Sequence, residues 1–382
     1  MPTTQNNGVT VWRMAGGDRS RCGLSTQALS ETPKLVQTLK ASGSIASAPV
    51  FAPNGAVFIA DRAGGVQAYN QDGDLLWRRD LPGGFQASPA INVDGSVLYL
   101  GSLLGRVHAL NAKSGKSIWE ELLPANRDRR IQADLLYLDE QHAVITSSWG
   151  GKFVALSGKD GAKLQEWNAG DNPRSAMSAT PNGTLFGVRV AWSRNANHIE
   201  VFKTIIGGDE SELLEETVKG TANSFSAPVV WHDGVIVPIN RETQCTLNYI
   251  DQQKASPKKL MDLDCCIHAT PAVFRDGIDK LFVATMNGGM ATLPIFGDQG
   301  DTIDLSKGSA PTEGEYFLAS PVCDAKGFCY LGSPQGQFDQ IGPDHKKTVL
   351  IETNRAFEAQ PAFSPDGRIY APCTNGNVYV FA

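Results

Sequence analysis

Cys265 and Cys266 are adjacent thiols, and adjacent thiols have two chemistries. They are either reduced neighbours at a strand end or partners in a vicinal disulfide; the first is the simpler reading. Seven cysteines occur in all, and none shows the paired C-x-x-C spacing that holds zinc. Cys22, Cys245, Cys323, Cys329 and Cys373 therefore read as free buried thiols, unless an oxidising compartment favours disulfides. The six histidines (His108, His142, His198, His232, His268, His345) lack metal-ligand spacing. Calcium wants about six to eight oxygens, whereas Asp72, Asp94, Asp366 and the run Asp209-Glu210-Ser211-Glu212 sit in solvated turns. Gly64-Gly65, Gly150-Gly151 and Gly288-Gly289 precede no helix, so they read as hairpin turns and not as phosphate cradles. No catalytic residue, metal or cofactor is expected from these patterns.

A second group carries contact energy. Arg127, Arg129, Arg130, Trp149, Arg174, Trp192, Arg194 and Arg241 are of the types enriched at binding hot spots, because guanidinium and indole bury large areas while making directed contacts. Whether they act together depends on the elements that position them. The bland alternative pairs each arginine with a nearby acid and packs each tryptophan on its own sheet.

Those elements are repeats. Ser47 to Trp77, Ala87 to Trp119 and Gln132 to Trp167 share one grammar of four apolar runs separated by three polar or glycine-containing turns, the last run carrying Trp. Four strands with tight turns make an antiparallel meander, the blade of a propeller. The first run recurs at Pro49, Pro89, Leu135, Met177, Pro228, Pro271, Pro321 and Pro361, at spacings of 40 to 51 residues. The expectation is an all-β, eight-bladed propeller forming one domain over 1–382. Its four-stranded antiparallel blades start near 47, 87, 132, 175, 226, 269, 319 and 359. The eighth copy stops after three strands, and the orphan run at 34–39, behind an N-terminal segment 1–33, is expected to complete it. That pairing would leave no sheet edge at the seam. On this architecture the arginine and tryptophan group falls on one arc of the top face, over blades 2 to 5. His268 is the one histidine placed to face the channel.

Ser96 to Trp119, with Tyr99-Leu-Gly-Ser102, Gly105-Arg-Val-His-Ala-Leu110, Asn111-Ala-Lys-Ser-Gly115 and Trp119, resembles the repeat of quinoprotein-like (PQQ-like) propellers. Trp12-Arg-Met-Ala-Gly-Gly-Asp18, followed by Arg21 and Gly23, is similar to the segment that precedes their first blade. The resemblance implies that each Trp ending a fourth strand docks over a neighbouring blade, held by a turn Gly four residues earlier, as Gly73 with Trp77 and Gly115 with Trp119. It also implies that Cys265-Cys266 corresponds to the vicinal disulfide beside the quinone of alcohol dehydrogenases, although here the pair lies in the sixth blade. Those dehydrogenases carry a metal-ligand set and a longer chain than this one.

Three function classes follow. The first is a non-catalytic scaffold that binds a protein partner through top-face loops; the second is a quinone-dependent oxidoreductase. The third is an assembly factor resembling the outer-membrane lipoprotein propeller. The first is the main expectation, with an acidic partner drawn to the basic, aromatic arc. A formal net charge of −6 opposes nucleic-acid binding. No apolar run reaches the roughly 18 to 20 residues of a membrane span. The sequence as written reads as cytoplasmic, and as periplasmic if the native N-terminus is longer.

Overall fold

The computed structural model describes residues 5–6, 9–124, 128–170, 174–193, 196–208, 212–217, 222–223, 225–241, 243–253, 257–286, 289–296, 303–304 and 319–382. Every helix or strand among them is a strand, and none is a helix able to cross a membrane. Blade 1 is a meander of Val50–Phe51, Val57–Ala60, Gly65–Tyr69 and Leu75–Asp80. The same order recurs in blades 2 (90–122), 3 (136–168), 4 (178–217), 5 (222–263), 6 (272–304) and 7 (322–352). Blade 5 adds a short fifth strand, Ala222–Asn223, paired to the end of Gly234–Arg241. The second and third strands are buried on both faces, as in Val57–Ala60, because each blade is covered by two neighbours. Hence they read as continuous apolar runs and not as alternating ones.

Blade 8 takes three strands from the C-terminus and its outermost from the N-terminus. Leu35–Lys40, one residue later than expected, pairs with Asn377–Phe381. Reciprocal bonds between Lys34 and Ala382 of 3.0 and 3.1 Å extend the ladder. The ring is closed by this pairing, yet edges remain. Among the described residues the closing strand and the outermost strands of the other blades pair on their inner side alone.

The innermost strand of each blade has its own unpaired edge, facing the channel, and residues 12–27 meet it. The thread's carbonyls accept from one backbone amide in each of six blades. Phe51 donates to Trp12 (2.8 Å), Ile91 to Arg13 (2.9 Å), Ala179 to Arg19 (2.7 Å), Val230 to Ser20 (2.9 Å), Val273 to Cys22 (2.7 Å) and Cys323 to Gly23 (2.7 Å). Blades 3 and 8 are held by side chains. Arg13 and Arg19 grip Asp139 and Glu140 with two hydrogen bonds each, and the Gly16 amide donates to Gln360 Oε1 at 2.6 Å. Arg21, fully buried, donates to the carbonyls of Met177, Ala15, Asp134 and Leu135.

Neighbouring blades are latched by one side chain of the outermost strand, but its glycine partner lies in the next blade, not in its own turn. Trp77 Nε1 donates to Ala112 O (2.8 Å) and its ring lies over Gly115, where a Cβ would come within 2.7 Å of it. Trp119 does the same to Gly158 O (3.0 Å) and Gly161. Gln165 occupies the equivalent register position in blade 3 and clasps Gly207 and Gly208 at 2.6 and 2.7 Å. Gln37 fills it at the seam, donating to Asp72 O at 2.7 Å. Trp167 instead turns into the core with only 6% of its surface exposed.

The reading of seven free thiols is corrected. Cys323 and Cys329 face each other across the first hairpin of blade 7 and form a disulfide, while Cys22, Cys245, Cys265, Cys266 and Cys373 are in none.

Deleting residues 1–40 removes thread and closing strand together, so the thermal midpoint should fall sharply; an unchanged midpoint would refute the closure. Arg21→Met keeps the thread's length but strands buried carbonyls, and it should cost roughly 2–4 kcal/mol in denaturant unfolding.

Candidate functional site

The channel opens at the end where the innermost strands begin. A cavity of ≈ 240 Å³ occupies its mouth. It is lined by the residue four positions before the first strand of seven blades (Ala46, Gln86, Gln132, Arg174, Phe225, His268, Glu358), with Arg62 beside them. A second tier lies two positions before those strands. There the blades are stitched around the ring: the Ala48 amide donates to Ser88 Oγ (2.9 Å), Ser88 to Asp134 Oδ1 (2.7 Å), Ala227 to Thr270 Oγ1 (3.0 Å) and Thr270 to Ser320 Oγ (2.9 Å). Gln360 and Asp134 touch both cavity and thread, so the thread crosses directly beneath the cavity.

One side of the mouth is cationic and aromatic. The guanidiniums of Arg130 and Arg174 each lie 4.4 Å from the Trp149 ring centroid. Arg174 also lies 4.9 Å from Phe225, which meets the His268 ring edge-on at 4.2 Å. Arg130 is paired with Asp128 at 2.5 Å, while Arg174 has no acidic partner among the described residues. Burial, and then the neighbouring Arg130, hold the Arg174 guanidinium below its usual range. Burial first and Arg174 second push the His268 imidazole down to about 4. It is therefore neutral at physiological pH, and Trp149 Nε1 is buried without an acceptor among the described residues.

The structure thus brings together Arg130, Trp149, Arg174 and His268 of the residues singled out in the sequence, and adds Phe225. Arg129 is exposed beside Gly105. Arg241 is exposed at the end of its strand in blade 5, with no contact to the stack among those described. Arg127 and Arg194 lie outside the described residues, as does the side chain of Trp192. Cys265 and Cys266 are half-buried thiols in no disulfide, just before His268. Sequence reasoning missed Gln132, Asp134 and Gln360 as cavity residues. Their signal was a fixed offset from the recurring first strand.

A metal-bound quinone, which the dehydrogenase resemblance implies, does not fit this donor set. The cavity's carboxylates are engaged, Glu358 by Arg62 at 2.7 Å and Asp134 by the Ser88 amide. Among the described residues no three acidic, histidine or cysteine side chains are grouped to share an ion.

A proton titration by NMR should find His268 near 4, and Arg174→Gln should raise it without restoring the ordinary value of about 6.5, because burial remains. The depressed value has a stability consequence. The unfolded chain takes up this proton first, so the group's contribution is full above about pH 6.5 and declines as pH falls towards 4. An ordinary, Arg174-independent titration would remove the stacked geometry.

The family model described as outer membrane protein assembly factor BamB matches residues 3–204. The BamB of Yersinia pestis is 22% identical over 344 residues, covering 85% of this chain and 81% of that protein. BamB from Moraxella catarrhalis superposes with a TM-score of 0.69 at 16% identity, over 91% of this chain and 97% of that one. A europium-containing methanol dehydrogenase gives a TM-score of 0.71 at 11% identity over 98% of each chain, a likeness of fold alone. The matched stretch takes in more than half of the sequence, from the thread through the closing strand to blade 4, and the chain belongs to the PQQ-like β-propeller family whose model bears the BamB description.

Proposed function

We propose that this propeller is a protein-interaction platform in the assembly of outer-membrane proteins, and that its partner docks on the top face over blades 2 to 5. The observation that carries the reading is the cation–aromatic stack of Arg130, Trp149, Arg174 and Phe225 at the rim of the channel mouth, in a chain whose family is described by that role. Arg129 and Arg241, both exposed, belong to the proposed surface; Arg127, Arg194 and the Trp192 side chain lie outside the described residues. The partner presents carboxylates there. Two guanidiniums over one indole repel each other, and Arg174 is without an acid among the described residues, so an incoming carboxylate relieves a cost already present.

Such a role sets the protein in the cell envelope, not in the cytoplasm. The Cys323–Cys329 disulfide supports that location, since disulfides persist where no thiol pool reduces them. The fold's dehydrogenase relatives favour no second reading, because the cavity's donors do not suit a metal-bound quinone.

Cross-linking and co-purification from solubilised outer membranes test the proposal. Wild type should recover an outer-membrane assembly polypeptide, and Arg174→Glu combined with Trp149→Ala should lower that recovery roughly tenfold or more. Equal recovery by a variant with an unaltered thermal midpoint overturns the arc. Recovery of no such polypeptide by wild type overturns the assembly role.

A further inference from the structure

We propose that Cys245 and Cys266 form a dithiol–disulfide couple, a modification site at the rim of the channel mouth that small disulfides oxidise to a covalent link between blade 5 and the segment feeding blade 6. Cys245 is buried in Gln244–Asp251, opposite Asn240 on one side and Leu263 on the other. Cys266 follows that outermost strand by three residues and is half-buried. The Asn240 side chain clamps the peptide of Ile267 with both of its amide atoms. Nδ2 donates to Ile267 O at 2.8 Å, and the Ile267 amide donates to Oδ1 at 2.8 Å. This clamp presses the residue after Cys266 onto the sheet beside Cys245. The Cys245 thiol faces the same Ile267 amide, and Cys266 Sγ lies 4.0 Å from Gln244 O, the carbonyl preceding Cys245. The two sulfurs therefore flank one short stretch of backbone.

Cys265 is the competing partner. Its sulfur is directed at Cys266 O, 3.6 Å away. A link between adjacent residues must also span Cα atoms about 3.8 Å apart, closer than the separation of about 4.4–6.8 Å that disulfides usually take.

The chemistry is thiol–disulfide exchange with an organic disulfide as oxidant, oxidised glutathione for example. The half-buried Cys266 thiolate attacks one sulfur of the oxidant and expels its partner as a thiolate. Cys245, as thiolate, then attacks Cys266 Sγ and expels the second thiol. Two electrons and the two thiol protons leave the protein, and the oxidant departs as two thiols. Burial holds the Cys245 thiol up at about 12, so the resolving step quickens as pH rises. Its effect is local and positional: His268 lies two residues beyond Cys266, and its contact with Phe225 joins it to the stack at the mouth. Oxidation fixes that side of the rim to blade 5.

The test is a peptide map of the full chain after incubation with oxidised glutathione over a pH series, acid quenching and alkylation without reductant. The expected product is a cross-linked peptide pair containing Cys245 and Cys266, with Cys265 alkylated and with a yield unchanged in Cys265→Ser. In Cys245→Ser the reaction should stop at a stable glutathione adduct on Cys266. A Cys265–Cys266 link, an adduct confined to Cys265, or three alkylated thiols after oxidation overturns the proposal. The wild-type map decides by itself if Cys245→Ser does not fold.

Discussion

Every blade of a propeller has an inner strand with one edge turned to the channel, and the hydrogen-bonding groups on that edge must be met by something other than sheet. Here they are met by twelve residues of backbone, Trp12 to Gly23, which visit the blades in ring order. A buried amide left without a partner costs about 1–3 kcal/mol, and six are engaged in this way, so the thread is integral to the sheets. It also forms the floor beneath the cavity through Gly16, Arg21, Asp134 and Gln360. Fold and site consequently rest on the same contacts, and the thread cannot shift without moving both.

Around the circumference four junctions are fastened by a different device, a side chain at one register position of the outermost strand, and its chemistry varies. An indole over a glycine turn serves blades 1 and 2, whereas an amide clasping backbone serves blade 3 and the seam. The indole adds buried area to its hydrogen bond; the glutamine supplies hydrogen bonds with little apolar surface. A repeat defined by its Trp therefore fades along the chain while the junction it stands for persists in another form. Gln165 and Gln37 occupy the register position of Trp77 and Trp119, and they show that the geometry is kept while the residue changes.

The blade count, the four-stranded meander and the N-terminal strand closing the last blade were legible because they depend on local periodicity and on a copy missing its fourth strand. So was the channel-facing position of His268, which follows from its offset to Pro271. The thread's partners were not legible, since Arg13, Arg19 and Arg21 find theirs more than a hundred positions away. Nor was the Cys323–Cys329 bond, whose spacing means little until a hairpin puts the two opposite each other. The pairing of turn glycine and Trp was misassigned for the same reason: periodicity shows that both recur, but not which copy of one meets which copy of the other. Of the cation–aromatic group, Arg130, Trp149 and Arg174 come from three separate connections that only the ring brings together, and Phe225 joins them from a fourth.

The closing strand, Leu35–Lys40, is synthesised long before its partner, Asn377–Phe381. Gly16 meets Gln360 across 344 positions of chain. Contacts of such long range are slow to form, since loop entropy must be overcome before they contribute. A nascent chain can raise its early hairpins but has neither closed ring nor complete floor until blade 8 emerges. The closing strand waits for its partner through the synthesis of all eight blades, while the thread meets blades 1 to 3 early, so native closure is delayed.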